Sequence, residues 1–232
     1  MLFTRLLAPL AHLPSQCAVC HAWPAQRICD ACQYQFAPLQ TRCPTCALLL
    51  PTGTTHCGEC LRTPLPLDAC VAAVSYDMPW AEVLQDFKFR SDPSWAKALA
   101  GLLLRNPTAR EALEQADWLL PIPLSRQRLR ERGYNQALLL ARALAHHKVQ
   151  ADWLLRPRHT PIQSHLSRAQ RLRNLRRAFS LAPPAATQLV GRRVVLVDDV
   201  MTTGATMQAA ATVLRQAGVQ HIAALVLART ER

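Results

Sequence analysis

The sequence predicts an α/β domain, a parallel sheet with flanking helices, preceded by a small cysteine-rich module. Three observations carry that prediction. Four C-x-x-C pairs crowd between residues 17 and 60. From about Asp68 strand-like apolar runs alternate with helical patterning. The run V-V-L-V-D-D-V-M-T-T-G-A-T at 194–206 reads as a strand, an acidic strand end, a short loop and the start of a helix. These place the lead-in and cysteine module in residues 1–65 and the α/β domain in residues 66–232. A chain of 232 residues, half of them hydrophobic, is long enough to bury such a core, and wholesale disorder is excluded.

The cysteine pairs are Cys17/Cys20, Cys29/Cys32, Cys43/Cys46 and Cys57/Cys60, separated by eight, ten and ten residues. One C-x-x-C knuckle aims two thiolates at one ion, and two knuckles complete a tetrahedral sulfur shell. Large apolar side chains are scarce over 15–62, so metal binding supplies the folding free energy this stretch lacks. A disulfide framework fits poorly with a chain whose first residues do not read as an export signal, and a repeated ribbon-like spacing points to metal more than to a redox dithiol. The expectation is two structural zinc ions. Sequential ribbons, the first four cysteines and then the second four, are the preferred pairing, and an interleaved cross-brace uses the same residues. His21 and His56 read as bystanders. Cys70 reads as a buried thiol.

Along the α/β region, Ala69–Tyr76 is strand-like, Pro79–Phe89 and Pro93–Leu104 are helical, and Trp118–Ile122 is a buried strand. Residues 133–147 pattern as a helix with Leu138, Ala141 and Ala145 inward. A strand core over Arg193–Val197 leads to a helix at 205–217, with Met207, Ala210, Ala211 and Leu214 on one face and Gly218 as its stop. His221–Leu227 is the final strand.

In a parallel sheet, ligands sit beyond the carboxyl ends of the strands. Asp198 and Asp199 stand there, and the loop Thr202, Thr203, Gly204, Ala205, Thr206 enters a helix. Backbone N–H groups of such a loop cradle phosphate, threonine hydroxyls add donors, and glycine permits close approach. Adjacent carboxylates are wrong for phosphate. They suit vicinal sugar hydroxyls, or a Mg²⁺ that neutralises a pyrophosphate.

Charge is concentrated. Between 121 and 180 there are thirteen Lys/Arg against two Asp/Glu, a local excess of +11 within a net charge of +12. That block implies a local anionic partner. No apolar run is long enough to span a bilayer. The first fourteen residues carry Arg5, Pro9 and Pro14 in their apolar stretch, and read as a short helical lead-in of a cytoplasmic protein.

The 194–206 run resembles the signature of the type I phosphoribosyltransferases. The resemblance implies Asp198 and Asp199 on the ribose hydroxyls and Thr202–Thr206 on the 5′-phosphate of phosphoribosyl diphosphate. A narrower likeness rests on P-I-P-L-S-R-Q-R-L-R-E-R-G-Y-N-Q-A at 121–137, on R-H-T-P-I-Q-S-H-L-S-R-A-Q-R-L-R-N-L-R-R-A-F at 158–179, and on Y-D-M-P-W-A-E-V-L-Q-D-F-K-F at 76–89. Together with the double zinc ribbon these resemble the ComF/GntX family over nearly the whole chain, with Ala47 standing where a knuckle often has glycine. The family implies an intracellular bacterial protein linked in many species to competence and uptake of single-stranded DNA, and in some relatives to gluconate or iron–sulfur metabolism. By position, Arg126, Arg128, Arg130 and Arg132 are candidates for pyrophosphate. Arg158 and Arg171 belong to a candidate hood loop at 158–174, where Ser167 is placed to cap a basic helix over 168–177.

Two functions stay open at this point. One is an enzyme transferring a phosphoribosyl group from its Mg-bound diphosphate to an unidentified acceptor. The other is a phosphoribosyl-diphosphate-responsive module that binds single-stranded nucleic acid through zinc ribbons and basic loops, with Trp23, Tyr34 and Phe36 available for stacking. His146, His147 and His165 read as exposed polar positions more than as acid–base groups.

Overall fold

The computed structural model describes residues 15–90, 92–156 and 178–231. The lead-in helix expected before Ser15, together with Arg158, His165, Ser167, Arg171 and the helix expected over 168–177, lies outside the described residues. The chain forms two compact units, Met1–Pro38 and Leu39–Arg232. The first four cysteines therefore fall in the smaller unit, and the second four share a unit with the sheet.

In the smaller unit Ser15 and Ala25 exchange backbone hydrogen bonds of 3.0 and 2.7 Å around the first knuckle. Helix α1 (Asp30–Phe36) follows, with Asp30 in its first turn where the helix dipole favours an acid. Among its described residues the buried apolar side chains are Cys17, Ile28, Cys32 and Ala37. That is too little core to hold a fold without a further cross-link.

The larger unit opens with the Cys43/Cys46 knuckle and helix α2 (Gly58–Arg62). There follow β1 (Ala69–Ser75), α3 (Trp80–Phe89), α4 (Trp95–Leu104), α5 (Pro107–Gln115), β2 (Trp118–Pro121), α6 (Arg126–Arg132) and α7 (Gln136–Ala145). Beyond a 3₁₀ turn at His146–Lys148 come β3 (Leu154–Leu155), β4 (Ser180–Leu181), α8 (Pro183–Gln188), β5 (Arg193–Met201), α9 (Ala205–Gln216) and β6 (His221–Arg229). Four strands form one sheet in the order β1-β6-β5-β2, and every neighbouring pair is parallel. The short β3 and β4 pair separately, antiparallel. Val194–Val197 are buried without alternation, as in a strand covered on both faces. Helices α4 and α7 pack together and against β6 and β5. Met207, Ala210, Ala211 and Leu214 of α9 join Leu120, Leu196, Ala224 and Val226 in a second core that also contains Cys43, Cys46, Ala47 and Cys60.

Several elements differ from expectation, α7, α5, α6 and β5 among them. The helix expected at 133–147 begins at Gln136, and it buries Gln136, Ala137, Leu140 and Ala141, whereas Leu138 and Ala145 are half-buried. The cause lies just before it, where Gly133 at φ 77° stops α6 and Asn135 caps α7 by accepting from the N–H groups of Ala137 and Leu138. Helices α5 and α6 were not read from the pattern. α6 has no buried residue, so it carries no apolar periodicity to read. Strand β5 continues past its apolar core through both acids to Met201.

Candidate functional site

β2 and β5 are neighbours, yet the chain leaves them for opposite faces of the sheet. After β2 it passes through α6 to α7 on one face, and after β5 it enters α9 in the core on the other. Loops that part in this way open a crevice at the strand ends, the usual place for a ligand in an open α/β sheet. Asp198 and Asp199 stand at that crevice, Asp199 with 8% of its surface exposed and Asp198 half-buried.

Two cations converge on Asp199. Lys88 Nζ lies 3.3 Å from its Oδ2 and an Arg132 guanidinium nitrogen lies 3.9 Å away. Lys88 is delivered by the last turn of α3, which is clamped from 134–136: the Tyr134 hydroxyl donates to the Phe87 carbonyl, and Gln136 Nε2 donates at 3.5 Å to the carbonyls of Phe87 and Lys88. Gln136 in turn accepts from Arg132 at 3.1 Å. Asn135 Nδ2 donates to the Ile122 carbonyl at 3.0 Å, and buried Ser125 caps α6. The S-R-Q-R-L-R-E-R-G-Y-N-Q segment is thus a frame that fixes Lys88 and Arg132 against the acid. Among the described residues Asp198 has no such ion pair. Burial, and then the Asp199 carboxylate, push its pKa up to about 8, against the pull of the Asp199 N–H and Lys88. Arg156 lies within electrostatic reach of Arg128 and Asp198; burial, and then Arg128, lower its pKa.

The loop after β5 ends in Gly204 at φ 76°. A side chain is strained at that φ, and a Cβ there would also lie 2.8 Å from Met201 Cε and 3.3 Å from Leu65 Cδ1, so glycine is favoured. Gly204 gives α9 no side-chain cap. Thr203 Oγ1 takes the Ala205 N–H at 3.3 Å. Thr202 and Thr203 are exposed, Ala205 and Thr206 half-buried.

The cysteines gather into two sets, Cys17/Cys20/Cys29/Cys32 and Cys43/Cys46/Cys57/Cys60, with all sulfurs of a set within 4.8 Å of one another. The pairing is therefore sequential. The Cys17/Cys20 and Cys43/Cys46 knuckles repeat one design. His21 and Ala47, each next after a knuckle's second cysteine, have φ 60° and 56°, which explains why glycine often stands there. Burial raises the pKa of Cys17 and Cys43, yet backbone N–H groups outweigh it and draw them down to about 6 and about 7. Such N–H···S contacts favour thiolate, the form that binds metal. Four soft sulfurs at this separation fit zinc. His21 and His56 are exposed and stand in neither set. Cys70 is buried, which pushes its pKa up to about 12.

Residues 156–232 match the family described as phosphoribosyl transferase domain. The chain is 33% identical over 209 residues to the DNA utilization protein YhgH of Escherichia coli (strain K12), covering 88% of this chain and 90% of the relative. It is 35% identical over 214 residues to competence protein F of Haemophilus influenzae, covering 87% and 90%. The chain belongs to the ComF/GntX family. A more distant ComF relative, competence protein ComFC of Bacillus subtilis (strain 168), is 28% identical over 205 residues, covering 84% of this chain and 80% of its own.

Of the residues expected at the ComF-family site, the structure brings together Asp198, Asp199, Arg132 and the 202–206 loop. It separates the four arginines of α6 by burial: Arg128 and Arg132 are half-buried, Arg132 beside Asp199, while Arg126 and Arg130 are exposed. Lys88 and Arg156 were missed. Lys88 lies within the quoted 76–89 segment, where its F-K-F setting reads as a helix end; its pairing with Asp199 is a tertiary fact. Arg156 sits two residues before the 158–179 segment. Among the described residues no helix is long and apolar enough to cross a membrane.

Proposed function

We propose that the crevice binds phosphoribosyl diphosphate with Mg²⁺, and that this binding serves DNA uptake in the cytoplasm. The observation that carries the reading is the carboxylate pair at the end of β5, faced by Lys88 and Arg132 and followed directly by the Gly204 loop at the head of a twelve-residue helix. Asp198 and Asp199 accept hydrogen bonds from the ribose hydroxyls. The first-turn N–H groups of α9 and the threonine hydroxyls take the 5′-phosphate. Lys88, Arg128, Arg132 and Arg156 surround the diphosphate end, where guanidinium forks suit phosphate oxygens. Carboxylate oxygens also fit a hard divalent cation, which when bound neutralises the leaving diphosphate. Zinc is the proposed metal in both cysteine sets. The DNA link comes from the names of the relatives, which speak of competence and DNA utilization.

In the transfer reading, the bond from ribose C1 to pyrophosphate breaks with its electron pair leaving on oxygen, and an acceptor nucleophile bonds to C1 and gives up its proton. The basic side chains stabilise the charge that develops on the leaving group. The test is a screen for pyrophosphate release against nucleobases and amines, with single-stranded DNA present and absent. Calorimetry with Mg²⁺ and phosphoribosyl diphosphate tests binding itself, and an absence of heat with folded protein rejects the site.

A second reading, a ligand-responsive single-strand-binding module, is favoured by exposed basic and aromatic side chains. Arg126 and Arg130 face solvent, and Trp23 and Tyr34 are 64% and 81% exposed. Binding of this kind weakens steeply with salt.

Lys88→Met is expected to weaken phosphoribosyl diphosphate binding about tenfold or more, by removing a charge-assisted contact. Because the Tyr134 and Gln136 clamps hold backbone carbonyls, the fold is retained. Wild-type affinity in the variant would remove Lys88 from the site.

Stability should also register Asp198. Its carboxyl is held at about 8 in the folded chain and titrates near ~4 when unfolded. The folded state thus holds the extra proton, and stability is lost as pH rises from the lower value to the upper. The thermal midpoint of Asp198→Asn should pull above wild type progressively across that window and run parallel beyond it. A gap independent of pH would contradict the assignment.

A further inference from the structure

Arg229 is the last residue of β6, paired in register with Met201 on one side and Ser75 on the other. Its side chain lies in the sheet's second core, and the residue is 3% exposed. Among the described residues no carboxylate pairs with it. Its guanidinium instead spans two structures. Nε donates to the Cys46 carbonyl at 2.8 Å. A terminal nitrogen donates to the carbonyls of Met201 at 3.1 Å and Thr230 at 2.7 Å, and to that of Thr202. Cys46 belongs to the second cysteine set, and Thr202 opens the phosphate loop.

A buried cation without a counter-charge is strongly unfavourable. Four thiolates around a divalent ion carry a net charge of about −2, so a metal in the second set supplies the counter-charge that Arg229 lacks. Independent packing ties the same two structures together. The Gly204 turn is pressed against Met201 and Leu65. The Cys70 thiol lies 3.8 Å from Met201 Sδ, and the Cys70 N–H donates to the Pro44 carbonyl inside the Cys43/Cys46 knuckle at 2.6 Å.

We propose that Arg229 is a positioning residue that couples the phosphate loop at 202–206 to the metal held by Cys43, Cys46, Cys57 and Cys60, so that each holds the other in shape. The second ribbon is then part of the ligand site's support. By thermodynamic linkage, a ligand that settles the loop tightens the hold on this metal. Lysine at 229 keeps the charge, but a single ammonium cannot reach the Cys46 carbonyl and the loop carbonyls with the geometry of a fork.

The test follows zinc transfer from the full chain to a coloured chelator, with and without ribose 5-phosphate, alongside amide exchange at 201–206. In wild type, ribose 5-phosphate is expected to slow one of two zinc-release phases about fivefold and leave the other unchanged. Arg229→Lys should retain two zinc ions, lose that protection, and exchange at 201–206 about fivefold faster. Wild-type exchange in this variant overturns the proposal. So does ligand-independent zinc release in wild type whose ribose 5-phosphate binding is verified by calorimetry, a measurement that needs no variant to fold. The ligand arm rests on the phosphoribosyl reading. If wild type binds no ribose 5-phosphate, that reading fails, while the exchange comparison still decides the coupling.

Discussion

Asp198→Asn combined with Asp199→Asn is expected to abolish Mg-dependent phosphoribosyl diphosphate binding while the chain stays folded. Amides present only one carbonyl oxygen each and no charge, so they neither hold two vicinal hydroxyls nor attract a divalent cation. Losing two charge-assisted hydrogen-bonding groups corresponds to about a thousandfold in affinity or more. The fold should survive because Asp198 is held in a place that disfavours its charge, and neutralising it removes a strain. Asp199 differs, because it is already paired with Lys88 and Arg132. Asp199→Asn alone leaves two half-buried cations facing an amide, so of the two single variants it should lower the thermal midpoint more. Calorimetry and thermal melts on the same preparations decide the matter. Unchanged binding by the double variant would remove the carboxylates from the site.

What could be read in the sequence, and what could not, follows from where the information resides. The Asp198–Thr206 run is local: strand, acids, loop and helix adjoin in sequence, so their order already dictates their geometry. The cysteine spacing is local too and marks eight metal ligands, but sequential and cross-braced pairings use the same residues, and it is the folded chain that selects the sequential one. Helix α6 escaped because its seven residues bury nothing, so its signals were the Ser125 cap and the Gly133 stop, not periodicity. The separation of Arg128 and Arg132 from Arg126 and Arg130 depends on that helix, since i and i+4 share a face only once the segment is helical. Lys88 and Arg229 were beyond reach for a different reason. Lys88 and Asp199 stand 111 positions apart in the sequence, and Arg229 meets Cys46 across even more of the chain. Such contacts exist only after the sheet has assembled. The register of β6 brings Arg229 beside Met201, and no property of residue 229 alone announces it.

The two cysteine sets should respond very differently to loss of metal. Cys43→Ser with Cys57→Ser is expected to lower the thermal midpoint of the main transition by ten degrees or more, an order-of-magnitude figure from the free energy that structural zinc contributes. Cys43, Cys46, Ala47 and Cys60 share a core with Leu67, Leu196, Met207 and Leu214, so disordering this ribbon exposes the face of the sheet that α9 also covers. Cys20→Ser with Cys29→Ser should instead release one zinc and disorder the small unit, whose buried residues near the metal are Cys17, Ile28, Cys32 and Ala37. The main transition then stays within a few degrees of wild type, because the core of Leu39–Arg232 is intact. Elemental analysis should give two zinc ions in wild type and one in each variant. Calorimetric melts of the three proteins read the contrast directly. Equal destabilisation by the two pairs of substitutions would show that the ribbons form one cooperative element; a small effect from both would show that neither metal supports the sheet.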